Sequence, residues 1–271
     1  MHSKELANIW DKLTAEAHLM ASEEVMLSGL FHSTILKHDN LASALSYILA
    51  NKLANTIMPA IEILEIIQQA YCAEQSMVIS AARDIIAVSE RDPAVDKLST
   101  PLLYLKGFHA LQSYRIAHWL WLQGRRSLAI YLQNEISVAF DVDIHPAANI
   151  GYGIMLDHST GIVIGETAVV ENDVSILQSV TLGGTGKTCG DRHPKIREGV
   201  MIGAGAKVLG NIEVGRGAKI GAGSVVLASV PAHTTVAGIP ARIVGRPGSL
   251  KPSVDMDQHF SDVGFEYGDG I

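Results

Sequence analysis

From Ile144 to Val244 an aliphatic residue recurs at every sixth position, and this period restricts the fold of the 271-residue chain more than any other feature. The series runs Ile144, Ile150, Leu156, Ile162, Ala168, Val174 and Val180. It resumes as Ile196, Ile202, Val208, Val214, Ile220, Val226, Ala232, Gly238 and Val244, with Gly238 alone not aliphatic. Six residues are too few for a unit with its own core, but they suit one side of a three-sided parallel β-helix whose coils stack and share an interior. On a regular coil of three such sides, Ile144, Ile162 and Val180 stack on one another at about 4.8 Å. Glycines three places further on, such as Gly153, Gly165, Gly183, Gly205 and Gly223, suit the corners. An ordinary parallel α/β sheet needs crossovers of about a dozen residues, and Ile196 to Val244 has no room for them.

The period is broken once, by ten residues from Gly186 to Lys195 that read GKTCGDRHPK. Loops on rigid scaffolds commonly carry function. This one sets Arg192 beside His193, with Lys187 and Lys195 nearby, and a guanidinium fork matches a substrate carboxylate.

Residues 1–140 have another texture, rich in Ala, Leu, Glu and Gln, with apolar stripes at helical spacing such as Leu6, Ile9, Trp10 and Leu13. Pro59, Pro93 and Pro101 punctuate them. The fold class is therefore α+β: a helical, oligomerising domain (1–140), a β-helix (141–248) with its loop at 186–195, and a tail (249–271). From Pro252 that tail has five acids and no Lys or Arg, a composition that predicts mobility. A net charge of −7 argues against nucleic acid as the main partner. Two distant cysteines, Cys72 and Cys189, offer neither a disulfide framework nor a zinc motif. With no signal core and no membrane-length apolar run, a cytoplasmic protein is expected.

A β-helix wall gains little from histidine, so His145, His158, His193 and His233 stand out. His158 follows Asp157 at an outward corner. Asp143, three residues short of a full coil before it, is expected near the same edge, where a carboxylate can fix the tautomer of an imidazole base. Ala204 and Ala222, in register one coil apart, leave a shallow outer groove suited to an extended pantetheine arm, and Lys219 is placed to meet a phosphate.

The runs Asp141 to Pro146, Leu156 to Gly161, Gly183 to Lys187, Asp191 to Lys195 and Ala237 to Ala241 resemble the bacterial serine acetyltransferases, a branch of the hexapeptide-repeat acyltransferases, over nearly the whole chain. The resemblance implies a left-handed β-helix, against the usual crossover hand, in a hexamer of two trimers. It implies acetyl transfer from acetyl-CoA to L-serine, with His158 as base and Asp143 orienting it. Arg192 and His193 would hold the serine carboxylate, and Asp92 and Asp157 its ammonium. Acetyl-CoA would lie on Ala204, Ala222, Lys219 and Gly184, the Gly183-Gly184 turn being a candidate oxyanion donor. L-Cysteine is the expected inhibitor, and the C-terminal Ile271 the expected contact for O-acetylserine sulfhydrylase. No metal is expected. The nearest alternative is a sugar O-acetyltransferase, against which the Arg192-His193 pair argues because a sugar has no carboxylate. A zinc carbonic anhydrase needs closer histidine spacing, and an ice-binding solenoid needs a Thr ladder.

Overall fold

The computed structural model describes residues 3–186 and 189–259. Helices α1 (Ser3–Glu23), α2 (Ser28–Phe31), α3 (Leu41–Leu53), α4 (Ala60–Ala73), α5 (Ser76–Arg91), α6 (Ser99–Tyr104), α7 (Lys106–Leu122) and α8 (Arg126–Phe140) come first. Asn40 caps α3 by accepting the Ser43 amide at 2.9 Å. Asp141, at φ 57°, ends α8 in the left-handed conformation and turns the chain into the first strand.

The strands, numbered along the chain, fall on three parallel faces. Face one holds β1 (Val142–Ile144), β4 (Ile162–Ile164), β7 (Thr181–Gly183), β10 (Lys207–Leu209) and β13 (Val225–Val226). Face two holds β2 (Asn149–Ile150), β5 (Val169–Val170), β8 (Lys195–Ile196) and β11 (Glu213–Val214). Face three holds β3 (Met155–Leu156), β6 (Ser175–Ile176), β9 (Met201–Ile202), β12 (Lys219–Ile220), β14 (Thr235–Gly238) and β15 (Ala241–Gly245). The last two are antiparallel and close the end of the solenoid, with the cis Ile239-Pro240 bond in the turn between them.

The coils are less regular than the period implied. Ile144 stacks on Ile164, not Ile162, so the first coil has twenty residues. Ile164 then stacks on Leu182 after eighteen, Leu182 on Val208 after twenty-six, Ile202 on Ile220 after eighteen, and Ile220 on Val236 after sixteen. Two residues are thus inserted at the corner after Leu156, and the loop before β8 adds eight, not ten. The last three members of the series are out of phase: Val236 is buried, while Ala232 and Gly238 are exposed. The slip was concealed because each side also turns inward the residue four places after the stacked one. Ala168, Val174 and Val180 are such residues, and all are buried.

One apolar core runs unbroken from the helices into the solenoid. Helix α7 lies between α8 and the first coil, so nearly every side chain from Gly107 to Ala117 is buried. Helix α5 buries a stripe that includes Asp84 and Arg91, because both reach the solenoid. Asp84, fully buried, accepts from Arg115 at 2.7 Å, Gln112 at 2.9 Å and the Ile154 amide at 2.9 Å. Part of the tail is packed rather than free: a short helix, α9 (Pro252–Asp255), lies on α5 and β9 with Pro252 and Ser253 buried. Residues 260–271, including Ile271, lie outside the described residues, as does Lys187.

Candidate active site

The solenoid has an edge between faces three and one, and another between faces one and two. Asp157 and His158 lie on the first, in the lengthened corner between β3 and β4, with Ala204 and Ala222 further along it. Arg192, His193 and Gly184 lie on the second, in the loop between β7 and β8. Within one chain the two halves of the expected site are therefore separated by face one.

At the first edge His158 is 74% exposed, and its Nε2 lies 3.6 Å from Asp157 Oδ1. Asp157 is half-buried. Burial raises its carboxyl above the usual range, the charge of Asp92 adds to this, and His158 opposes it. Asp92 ends α5, and its Oδ1 accepts the Ala94 amide at 2.9 Å, so it caps the turn before Val95, and its charge is felt at Asp157. Asp143 does not share a hydrogen bond with His158 in one chain. Its Oδ1 accepts from Gln133 Nε2 at 2.6 Å. The inserted pair of residues is the reason: it moves Asp143 into register with Val163 in mid-strand, beyond the corner.

Further along this edge Ala204 and Ala222 sit in adjacent coils, with the Gly223 amide donating to the Ala204 carbonyl at 2.7 Å. A Cβ built on Gly223 would meet nothing within 4 Å, so the surface beside the two alanines is open. Lys219, the expected phosphate contact, precedes this edge in β12. It lies on face three just before the corner, is 4% exposed, and donates from its ammonium to the carbonyl of His259 in the tail.

At the second edge Arg192 is held by Glu166 Oε2 at 2.6 Å and by the Gly190 carbonyl. Glu166 is in turn kept well below the usual carboxylate range by that guanidinium. His193 is buried. Its Nδ1 lies 2.8 Å from Thr167 Oγ1 and 3.2 Å from the Thr167 amide. That amide can only donate, so Nδ1 accepts and Nε2 carries the proton in the neutral ring. Burial, then Arg192, holds His193 below its ordinary pKa. Gly184 borders the Arg192 stem.

Glu166, Thr167 and Gly165 were not foreseen as site residues. Thr167 Oγ1 accepts the amides of both Arg192 and His193, at 3.0 and 3.1 Å. A Cβ on Gly165 would stand 2.0 Å from His193 Nε2. These contacts span about one coil plus the eight-residue insertion, a spacing that the assumed ten-residue break hid. Among the described residues, no group of three or more His, Cys, Asp or Glu is placed to hold a metal ion, and no helix is long and apolar enough to cross a membrane.

Comparison with known proteins bears on this geometry. Residues 9–113 match the family described as serine acetyltransferase, N-terminal, and residues 193–228 match bacterial transferase hexapeptide (six repeats). The chain is 72% identical over 273 residues to the serine acetyltransferase of Salmonella typhimurium, with 100% of each covered. A solved serine acetyltransferase in complex with cysteine superposes with TM-score 0.92 at 68% identity, covering 94% of this chain and 99% of that one. Another, in complex with CoA, gives 0.86 at 68% identity, covering 88% and 100%.

Proposed function

The chain belongs to the serine acetyltransferase family and is an acetyl-CoA-dependent serine O-acetyltransferase, and we propose that it works at a site completed between two copies. The observation that carries this is the division of the expected residues between two edges: His158, Asp157 and Asp92 on one, Arg192 and His193 on the other. A neighbouring copy that sets its loop edge beside the His158 edge unites them, which a cyclic trimer does three times over. A hexamer of two such trimers, joined through the helical domains, extends the same reading.

On this reading Asp92 and Asp157 take the serine ammonium, and the loop takes the carboxylate. A neutral hydroxyl is a poor nucleophile, so His158 removes its proton as the oxygen attacks the thioester carbonyl. The tetrahedral intermediate collapses with cleavage of the carbon–sulfur bond, and the imidazolium returns the proton to the CoA thiolate. The products are O-acetyl-L-serine and CoA, in the first step of cysteine biosynthesis. The small side chains of Ala204 and Ala222, with open space beside them at Gly223, suit the pantetheine arm. Asp143, in mid-strand on face one, serves this centre through its field or through a neighbouring copy rather than by direct contact in its own chain.

Cysteine, an analogue of serine differing at one atom, competes at the same pocket as a feedback inhibitor, consistent with the cysteine complex of the relative. Binding of O-acetylserine sulfhydrylase through a tail ending in Ile271, and a cytoplasmic location, complete the proposal. Thiol release from acetyl-CoA should be seen with serine and not with a galactoside; activity on the galactoside alone would replace serine by a sugar. An alanine at 158 should lower kcat by about 10²-fold or more while CoA binding persists.

A further inference from the structure

At the corner that carries His158, Leu156 and Ile164 are eight positions apart, where Ile176 and Leu182, stacked on them, are six apart. The extra pair is taken up in two successive three-residue turns. The Ser159 amide donates to the Asp157 carbonyl, and the Thr160 amide to the His158 carbonyl at 2.8 Å. The central residues, His158 and Ser159, have φ of 51° and 58°. A turn closed between residues i and i+2 about a positive φ is the rare, strained form of γ-turn, and here neither residue is glycine. Such a backbone persists only where its surroundings over-determine it.

The surroundings are supplied by the first turn of α7. A Cβ on Gly107 would lie 2.2 Å from the Leu156 carbonyl oxygen and 3.0 Å from Ser159 Cβ, so the helix backbone is pressed directly on the corner. Ser159 is fully buried and its hydroxyl has no hydrogen-bond partner, so the side chain serves by filling space. Lys106 Nζ donates to Thr160 Oγ1 at 2.6 Å. From the solenoid side, the Gly161 amide donates to Asp141 and the Ser179 amide to Thr160, each at 2.8 Å. The imidazole itself is 74% exposed, with Asp157 at 3.6 Å, so its aim is set chiefly by its backbone.

We propose that Gly107 and Lys106 are positioning residues for His158: the first turn of α7 is the template that holds the strained corner and so points the base. The proposal rests on the assignment of His158 as base. It gives the helical domain a part in turnover besides assembly, since the element that shapes the corner belongs to that domain.

The test uses the full-length protein and five single variants, Gly107→Ala, Lys106→Met, Lys106→Arg, Thr160→Val and His158→Ala, with the Lys106→Met/Thr160→Val double. For each, kcat, both KM values and the thermal midpoint are measured. Gly107→Ala should lose about 10²-fold in kcat, the scale of a 1 Å misplacement, with acetyl-CoA KM nearly unchanged. Lys106→Met and Thr160→Val should each lose several-fold in kcat, the double no more than either alone because they remove one shared contact, and Lys106→Arg should restore it. Should Gly107→Ala fail to fold, the Lys106 and Thr160 set decides. Wild-type kcat in Lys106→Met and Thr160→Val, losses that multiply in the double, or a lowered thermal midpoint alone would overturn the positioning role. Normal turnover by His158→Ala would instead overturn the base assignment on which it rests.

Discussion

Asp157 is a half-buried carboxylate within the field of Asp92. Burial and the neighbouring charge raise the Asp157 carboxyl, so on acidification it takes up a proton before an ordinary aspartate does. A protonated Asp157 loses its attraction for an ammonium. Serine KM should therefore rise as pH falls, beginning above the usual carboxylate range, and Asp92→Asn should move this rise to lower pH by removing the like charge. A rise at the same pH in both proteins would separate Asp157 from serine binding. At the other edge the decisive residue is Gly165, because any Cβ there would collide with the buried ring of His193. Gly165→Ala should raise serine KM by about tenfold, equivalent to about 1.4 kcal/mol, and leave acetyl-CoA KM nearly unchanged; the reverse pattern in a kinetic comparison would remove His193 from the serine pocket.

Among the elements, the stacked faces and the helical layer were legible in the sequence, because inward aliphatics and amphipathic stripes are repeated many times. The phase was not. Ile162 took the place of Ile164 in the series because both point inward, and the two-residue excess at His158 was absorbed by an overlong estimate of the loop before Lys195. The register sets Asp143 beside Val163, two positions further along face one than the six-residue period implies. The partners of the loop, Glu166 and Thr167, were missed for the same reason, and the Gly107 contact was missed because helix-to-solenoid packing leaves no period to read. Helix α7 also carries a pH-dependent element. His109 is buried, Nε2 donates to the Leu102 carbonyl at 2.8 Å, Nδ1 has no partner, and burial pushes its pKa down to about 4. The unfolded chain binds this proton near pH 6.5, the folded one only near 4. The neutral ring is thus compatible with full stability above pH 6.5, and up to about 3 kcal/mol is lost as pH falls from 6.5 toward 4. In urea titrations His109→Gln should flatten this acid limb, and an unchanged limb would assign it to other groups.

At the scale of the whole molecule, helices and solenoid are joined by apolar packing and by hydrogen bonds that a buried ion pair of α5 and α7 makes to the first coil. Asp84 and Arg115 pair at 2.7 Å while Asp84 also holds the Ile154 amide of the first coil. Arg115→Met, which strands that carboxylate, should destabilise the fold by about 3 kcal/mol in urea unfolding. What a single chain does not do is bring its two edges together, and a serine-binding site that uses both needs a second copy. Subunit mixing tests this most directly. His158→Ala and Arg192→Ala, each nearly inactive alone, are co-expressed at equal levels and the mixed oligomers assayed for serine-dependent thiol release. If each site draws His158 from one copy and Arg192 from the next, random cyclic assembly restores about a quarter of the wild-type sites. If both residues act within one chain, the mixed oligomers stay as inactive as the two parents, and the shared site is wrong.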